Sequence, residues 1–334
     1  MLFHELPESM LWEVFGHVAH QEIGHVLLCC RRFYTIALPY QYSVFNQENE
    51  HCISMLRRII EQPHLAAYVR HLKGSDTIET NLSSLSQEHL ERIRTQMRYS
   101  TYGDDENLWS EALSPNWSAV IAILMVLFRN LESIDLHLYK YNDPIKFIKG
   151  VLQRPMEPDN DRKPPLHNLH QVFLTDGLPD VRDMEFHDSC LELGTLEPFL
   201  TLSTVSTVRV FNFADNNLQL FDDDEPTQID LAVFNTKDLS LVRSNMDEDF
   251  MFTFLSGFHS LRRLQYSHTN DLGVGRVLIP RRFKEGLSNS KHSLEELILN
   301  YYFPAQHDYW LEFDDSEDTL GYLFCDNIWE RIYC

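Results

Sequence analysis

Near the start of the chain, GHVAHQEIGH places His17, His20, Glu22 and His25 close together, residue types that can bind zinc and activate water. A helical zinc site needs two histidines four residues apart, so that both imidazoles leave one helix face, plus a third ligand. His20 and His25 are five apart, about 140° around a helix, and His17 and His20 share a face with no third partner. These read as solvated histidines, and no metal ligand is expected. Gly273-Val274-Gly275 begins like a dinucleotide-binding loop, but Leu278 stands where the third glycine belongs. There is no GxSxG, phosphate-binding loop or kinase signature, and no acid–base pair can be chosen among 50 carboxylates without geometry. The six cysteines, Cys29, Cys30, Cys52, Cys190, Cys325 and Cys334, have neither CxxC spacing nor a framework pattern, and read as reduced thiols. Neither a catalytic residue nor a cofactor is expected, and the chain reads as a non-enzyme.

Composition narrows the classes further. With 334 residues, 43% of them hydrophobic and 12% aromatic, the chain has the make-up of a folded protein. Acidic residues outnumber basic ones by 50 to 28, a net charge of −22, which repels phosphate backbones and anionic lipid. Neither nucleic acid nor a membrane is an expected partner. MLFHELPESM has no basic start and no apolar run, so no secretory signal is read there. WSAVIAILMVLF, residues 117–128, is too short to span a bilayer and suits a buried helix. A cytoplasmic or nuclear location is expected, in which the Asn81 and Asn116 sequons carry no glycan.

The elements that position any binding residues start with three short helices. Leu11, Val14, Phe15 and Val18 recur at helical spacing, and Pro7 suits a first turn. A second helix spans about Glu22 to Cys29, with Ile23, Val26 and Leu27 on one side. A third, from about Arg31, carries Phe33, Ile36 and Ala37 and is expected to stop at Pro39. A module this small buries little surface alone, which points to a docked partner.

Leu6-Pro7-Glu8, Met10-Leu11, Val14-Phe15, Val18, Ile23, Val26, Leu28 and Cys29-Cys30-Arg31-Arg32-Phe33 together resemble the F-box, roughly LPxELLxxIFxxL followed by an apolar helix and VCRxF. Gly16, Gly24 and His20, the last where Pro is common, depart from the pattern, which covers about forty residues. Residues 52–74, CISMLRRIIEQPHLAAYVRHLKG, look like the linker of fungal-type F-box proteins with degenerate leucine-rich repeats.

The template L-x-x-L-x-L then recurs as Leu131/Ile134/Leu136, Leu169/Val172/Leu174, Val208/Phe211/Phe213, Leu261/Leu264/Tyr266 and Leu294/Leu297/Leu299. Leu239/Leu241 and Val69/Leu72 are partial matches. Helix-like stretches at 144–153, 196–202, 249–258 and 281–287 lie between them, with another at 87–98. Alternation of this kind predicts an α/β solenoid with a parallel sheet on its concave side. The expected organisation is an F-box at 1–45, a helical linker at 46–74, an irregular insertion with a buried helix at 75–130, and a leucine-rich-repeat-like array at 131–334. The acidic runs at 104–106, 222–225 and 314–318 read as solvated loops. After SEDTLGYL the resemblance calls for one more repeat, whereas FCDNIWERIYC makes a poor polar cap, and a shortened reading frame is expected there.

The resemblance implies a substrate-recognition adaptor of a cullin–RING ubiquitin ligase. The F-box would dock on a Skp-type subunit, bound in turn to a cullin, and the repeats would hold a target protein. The residues expected at the adaptor contact are Leu6, Pro7, Leu11, Val14, Phe15, Val18, Leu28 and Cys30, some of which must instead fill the module's own interior. For the target, the outward strand positions are expected at Ser133, Asp135, His137, Gln171, Phe173, Thr175, Val210, Asn212, Ala214, Arg263, Gln265, Ser267, Glu296, Ile298 and Asn300. The alternatives are a scaffold of the same architecture without ubiquitination and, more remotely, an unrecognised hydrolase.

Overall fold

In the computed structural model the described residues are 5–48, 51–75, 85–100, 117–138, 152, 166–176, 191, 193–214, 233–246, 248–269, 280–302 and 330–333. The chain forms two compact units, residues 1–136 with 146–169 and residues 137–145 with 170–334. The helical module, the linker and the buried helix all belong to the first unit.

The first unit opens with α1 (Glu8–Gly16), α2 (His20–Cys29) and α3 (Arg31–Gln41). Leu11, Phe15, Ile23, Phe33, Ile36 and Ala37 form their shared core. The Phe15 and Phe33 rings meet edge to face, 5.3 Å apart. The expected stop at Pro39 is corrected: α3 runs two residues past it. A proline this near a helix end removes only one late N–H from the ladder, so the helix tolerates it. His20 Nε2 lies 3.1 Å from Gln41 O, tying the start of α2 to the end of α3. The Tyr40 hydroxyl donates to Trp12 O at 2.7 Å, tying α3 to α1.

After β1 (Val44–Asn46), α4 (Cys52–Glu61) buries Leu56, Ile59 and Ile60, and a 3-10 turn spans Pro63–Tyr68. β2 (His71–Ser75) pairs parallel with β1. Next come α5 (Gln87–Ser100), α6 (Trp117–Leu127) and β3 (Ser133–Leu138). Ile121, Ala122, Ile123, Leu124, Met125 and Val126 are all buried, so α6 is apolar around its whole circumference, as its composition predicts.

The second unit holds β4 (Gln171–Asp176), α7 (Leu193–Leu200), β5 (Thr207–Phe211), β6 (Asp238–Ser244), α8 (Glu248–Ser256), β7 (Arg263–Thr269), α9 (Pro280–Gly286), a 3-10 turn (Leu287–Ser290) and β8 (Glu296–Tyr302). The strands β4 to β8 are parallel and lie side by side in sequence order. β9 (Glu330–Tyr333) pairs antiparallel with β8. Two registered rows, Val172–Val208–Leu239–Leu264–Leu297 and Leu174–Val210–Leu241–Tyr266–Leu299, form the inner face. Behind them Phe250, Phe254 and Phe258 recur every fourth residue along and just past α8, packing on Phe213 and Phe234.

One backbone device repeats in both units. The carbonyl just before a strand accepts from two consecutive N–H groups at the start of the next strand. Ser43 O takes Arg70 and His71, Arg70 O takes Glu132 and Ser133, and His170 O takes Ser206 and Thr207. Ser206 O takes Lys237 and Asp238, Lys237 O takes Arg262 and Arg263, and Arg262 O takes Glu295 and Glu296, all at 2.7–3.1 Å. The architecture is therefore α/β with parallel strands in chain order. β6 is a full strand, so the partial match at Leu239/Leu241 marks a strand of its own within the long interval from Val208 to Leu261.

Candidate docking surfaces

The residues expected to bind partners lie on the three-helix module, on β3, and on the face of the second unit's sheet opposite its apolar rows.

Within the module, helix geometry sorts the expected contacts into interior and surface. Leu11 is fully buried and Phe15 is 2% exposed, both held in the core by Ile23, Phe33 and Ile36. Their assignment as adaptor contacts is corrected: on an amphipathic helix the stripe facing its own neighbours is not available to another chain. Leu6 and Val18 are half-buried against that core. Leu6 O also accepts from Arg32 Nη2 at 2.7 Å, and Pro7 O accepts from the N–H groups of Met10 and Leu11. Pro7 and Cys30 are exposed, Cys30 serving as the cap of α3, where its Sγ accepts from Phe33 N at 3.4 Å.

Val14 remains 38% exposed, Met10 53% and Leu28 84%. Met10 belongs to the F-box-like pattern but is not among the expected adaptor contacts, although its position four before Val14 places both on one helix face. Tyr34 is also exposed. His25 lies 3.0 Å from Glu22, and among the described residues no three metal-binding side chains converge.

On the sheet, alternation places Phe173 and Thr175 on the outer face of β4, Arg263, Gln265 and Ser267 on that of β7, and Glu296, Ile298 and Asn300 on that of β8. Arg263 and Glu296 form an ion pair across β7 and β8, and Ser240 Oγ donates to Gln265 Oε1 at 3.1 Å. Asn300 Oδ1 is buried without a hydrogen-bond partner among the described residues. On β3, Asp135 pairs with Lys73 at 3.5 Å, next to a contact of 2.7 Å between Ser133 Oγ and His71 Nδ1. His137 is half-buried on the same strand.

Strand β5 corrects the sequence reading. Val208 and Val210 are both buried, so Val210 faces inward, and Ala214 is 6% exposed. Asn212 lies past the strand in a left-handed conformation, φ 64°, with its N–H donating to Val242 O. Its expected place on the outer face is therefore overturned, because the strand alternation ends before it. The outer residues of β5 are instead Thr207, Arg209 and Phe211. The signal was present in Thr207-Val208-Arg209-Val210-Phe211, which alternates strictly, whereas the L-x-x-L-x-L template forced Phe211 inward.

Arg209 places its guanidinium 5.6 Å from the centre of the Phe173 ring. Arg243, at a left-handed φ of 52° beside a register shift in β6, lies 5.5 Å over Phe211. The Gly273–Gly275 segment, the sequon asparagines Asn81 and Asn116, the three acidic runs and the helix expected at 144–153, apart from Leu152, lie outside the described residues. No described helix is long and apolar enough to cross a membrane. No known family model matches the chain, and no curated protein matches it in sequence.

Proposed function

We propose that this chain is the target-binding subunit of a cullin–RING ubiquitin ligase: an F-box of three helices, followed by a leucine-rich-repeat-like array. The observation that carries this reading is where large apolar side chains are left exposed. Met10, Val14, Leu28 and Tyr34 belong to the helical module, and outside it only Val233 joins them among the described residues. Apolar side chains concentrated on one small module mark a protein-binding surface. The parallel, sequence-ordered strands support the repeat reading.

In this role the chain performs no covalent chemistry. It raises the effective concentration of target lysines beside a ubiquitin-loaded enzyme. Affinity purification under proteasome inhibition tests the proposal. The wild-type chain should bring down a Skp-type subunit and a cullin. A Met10→Gln/Val14→Gln/Leu28→Gln variant should lose both while keeping its helical circular dichroism. Absence of the Skp-type subunit from the wild-type purification would overturn it.

A further inference from the structure

We propose that Ser86, His89 and Glu61 form a nucleophile–base–acid relay that gives the first unit a weak esterase activity toward small activated esters. This activity is separate from adaptor docking, in which none of the three residues takes part.

No acid–base pair can be chosen from sequence among 50 carboxylates, but the meeting of α4 with α5 singles one out. Glu61, the last residue of α4, places Oε1 at 3.1 Å from Nε2 of His89, in the first turn of α5. The carboxylate accepts, so Nε2 carries the proton and Nδ1 of the neutral imidazole is left as an acceptor. Ser86 Oγ lies 2.8 Å from that Nδ1. A hydroxyl is thus bonded to a base whose far nitrogen is oriented by an acid, which is the connectivity of an activated serine.

Part of this geometry is a helix cap. Ser86 Oγ accepts from His89 N at 3.3 Å, and Ser86 N lies 3.3 Å from Nδ1. A reciprocal cap is complete without any partner on Nε2, and Glu or Gln ordinarily fills the third position. Histidine adds a neutral nitrogen that can take up a proton and return it, as a two-step acyl transfer requires. The hydroxyl, nearer to Nδ1 than the backbone N–H, has first claim on its lone pair. Ser86 is exposed and His89 half-buried, so the attacking oxygen is open while the ring is sheltered. Leu85 and Ile93, both buried, anchor the turn on either side. The N–H groups of Gln87 and Glu88 open α5 without helical acceptors and can donate to a developing oxyanion.

In the reaction, Ser86 Oγ attacks the ester carbonyl carbon as its proton passes to Nδ1 of His89. The bond to the leaving alcohol then breaks, and the alcohol takes that proton. Water repeats the sequence on the acyl-serine, releasing the carboxylic acid and restoring the hydroxyl.

The test uses the full chain with p-nitrophenyl acetate and with a fluorophosphonate probe, whose attachment site is read by peptide mass spectrometry. Wild type should hydrolyse the ester and carry the probe on Ser86. Ser86→Asn keeps a good helix cap but loses the nucleophile, so both signals should vanish with the thermal melt unchanged. His89→Gln keeps the reciprocal cap but loses the base, so kcat should fall about 100-fold. Glu61→Gln should lower kcat and leave KM unchanged, since Glu61 orients the ring without touching the ester. Absence of the probe from Ser86 in wild type would overturn the proposal. So would hydrolysis by Ser86→Asn equal to wild type, or an unchanged kcat in His89→Gln.

Discussion

Phe15 and Leu28 fall within the same F-box-like pattern, yet changing them should have opposite consequences. Phe15 is 2% exposed and meets Phe33 edge to face at 5.3 Å, inside a core of only six buried side chains. Removing a buried Phe ring costs about 3–5 kcal/mol. Whole domains are stable by about 5–15 kcal/mol, so Phe15→Ala should largely unfold a module this small. Leu28 is 84% exposed, and its replacement should move stability by no more than about 0.5 kcal/mol. Glutamine is the suitable substitute, since an aspartate in the last turn of α2 would also oppose the helix dipole.

If a Skp-type subunit covers Leu28, the lost burial is about 1.5–3 kcal/mol, a loss of affinity of roughly 10- to 150-fold. Circular dichroism melts and calorimetric titration of the purified subunit separate the two effects. Phe15→Ala should lose helix signal and binding together, and Leu28→Gln should lose binding with its melt unchanged. A Leu28→Gln chain that binds like wild type, or that melts as early as Phe15→Ala, would refute the division of the module into interior and docking face.

Glycine substitutions should differ in sign with the space available. At Gly286 a Cβ would meet Leu255 Cβ and the Phe252 backbone oxygen at 3.0 Å, so Gly286→Ala must push α9 off α8 and should cost about 1–3 kcal/mol in a urea melt. At Gly24 the nearest atom is Gln41 Oε1 at 3.8 Å, and Gly24→Ala should instead stabilise by up to about 1 kcal/mol. Phe254→Ala, which removes a fully buried ring touching Phe213, Phe234, Phe250 and Phe258, should destabilise the second unit by about 3–5 kcal/mol, again by urea melt. Burial raises the Cys52 thiol pKa, so less thiolate forms at a given pH. Iodoacetamide at pH 8 should therefore label exposed Cys29 and Cys30 first, with Cys52 catching up as pH rises, read by peptide mass spectrometry.

The periodicities of the chain carried most of its elements. The helices at Gln87–Ser100, Leu193–Leu200 and Glu248–Ser256 and the strands β4, β7 and β8 all follow from spacing of apolar residues. What spacing could not do was divide one helix face between two sets of neighbours. Leu11, Val14, Phe15 and Val18 satisfy the same helical pattern, and only the packing of α2 and α3 decides that Val14 stays outside. At β5 two valid patterns competed, and the fixed template displaced the simple alternation that held Arg209 outward. The left-handed turn at Asn212 and the register shift in β6 are tertiary choices with no marker in a single sequence.

The paired N–H groups on each pre-strand carbonyl bear on how such a chain tolerates changes of length. Each of these six strands takes its alignment from the carbonyl before its predecessor, independent of the path the chain follows to return. In the second unit those returns occupy 25 (262 − 237) to 36 (206 − 170) residues. In the first unit the return from Arg70 to Glu132 takes 62 (132 − 70), and the same two-proton contact forms at its end. Insertions and deletions in these returns should thus leave the strands that carry this contact in place. Such an architecture can gain or shed surface loops over evolutionary time without rebuilding its core.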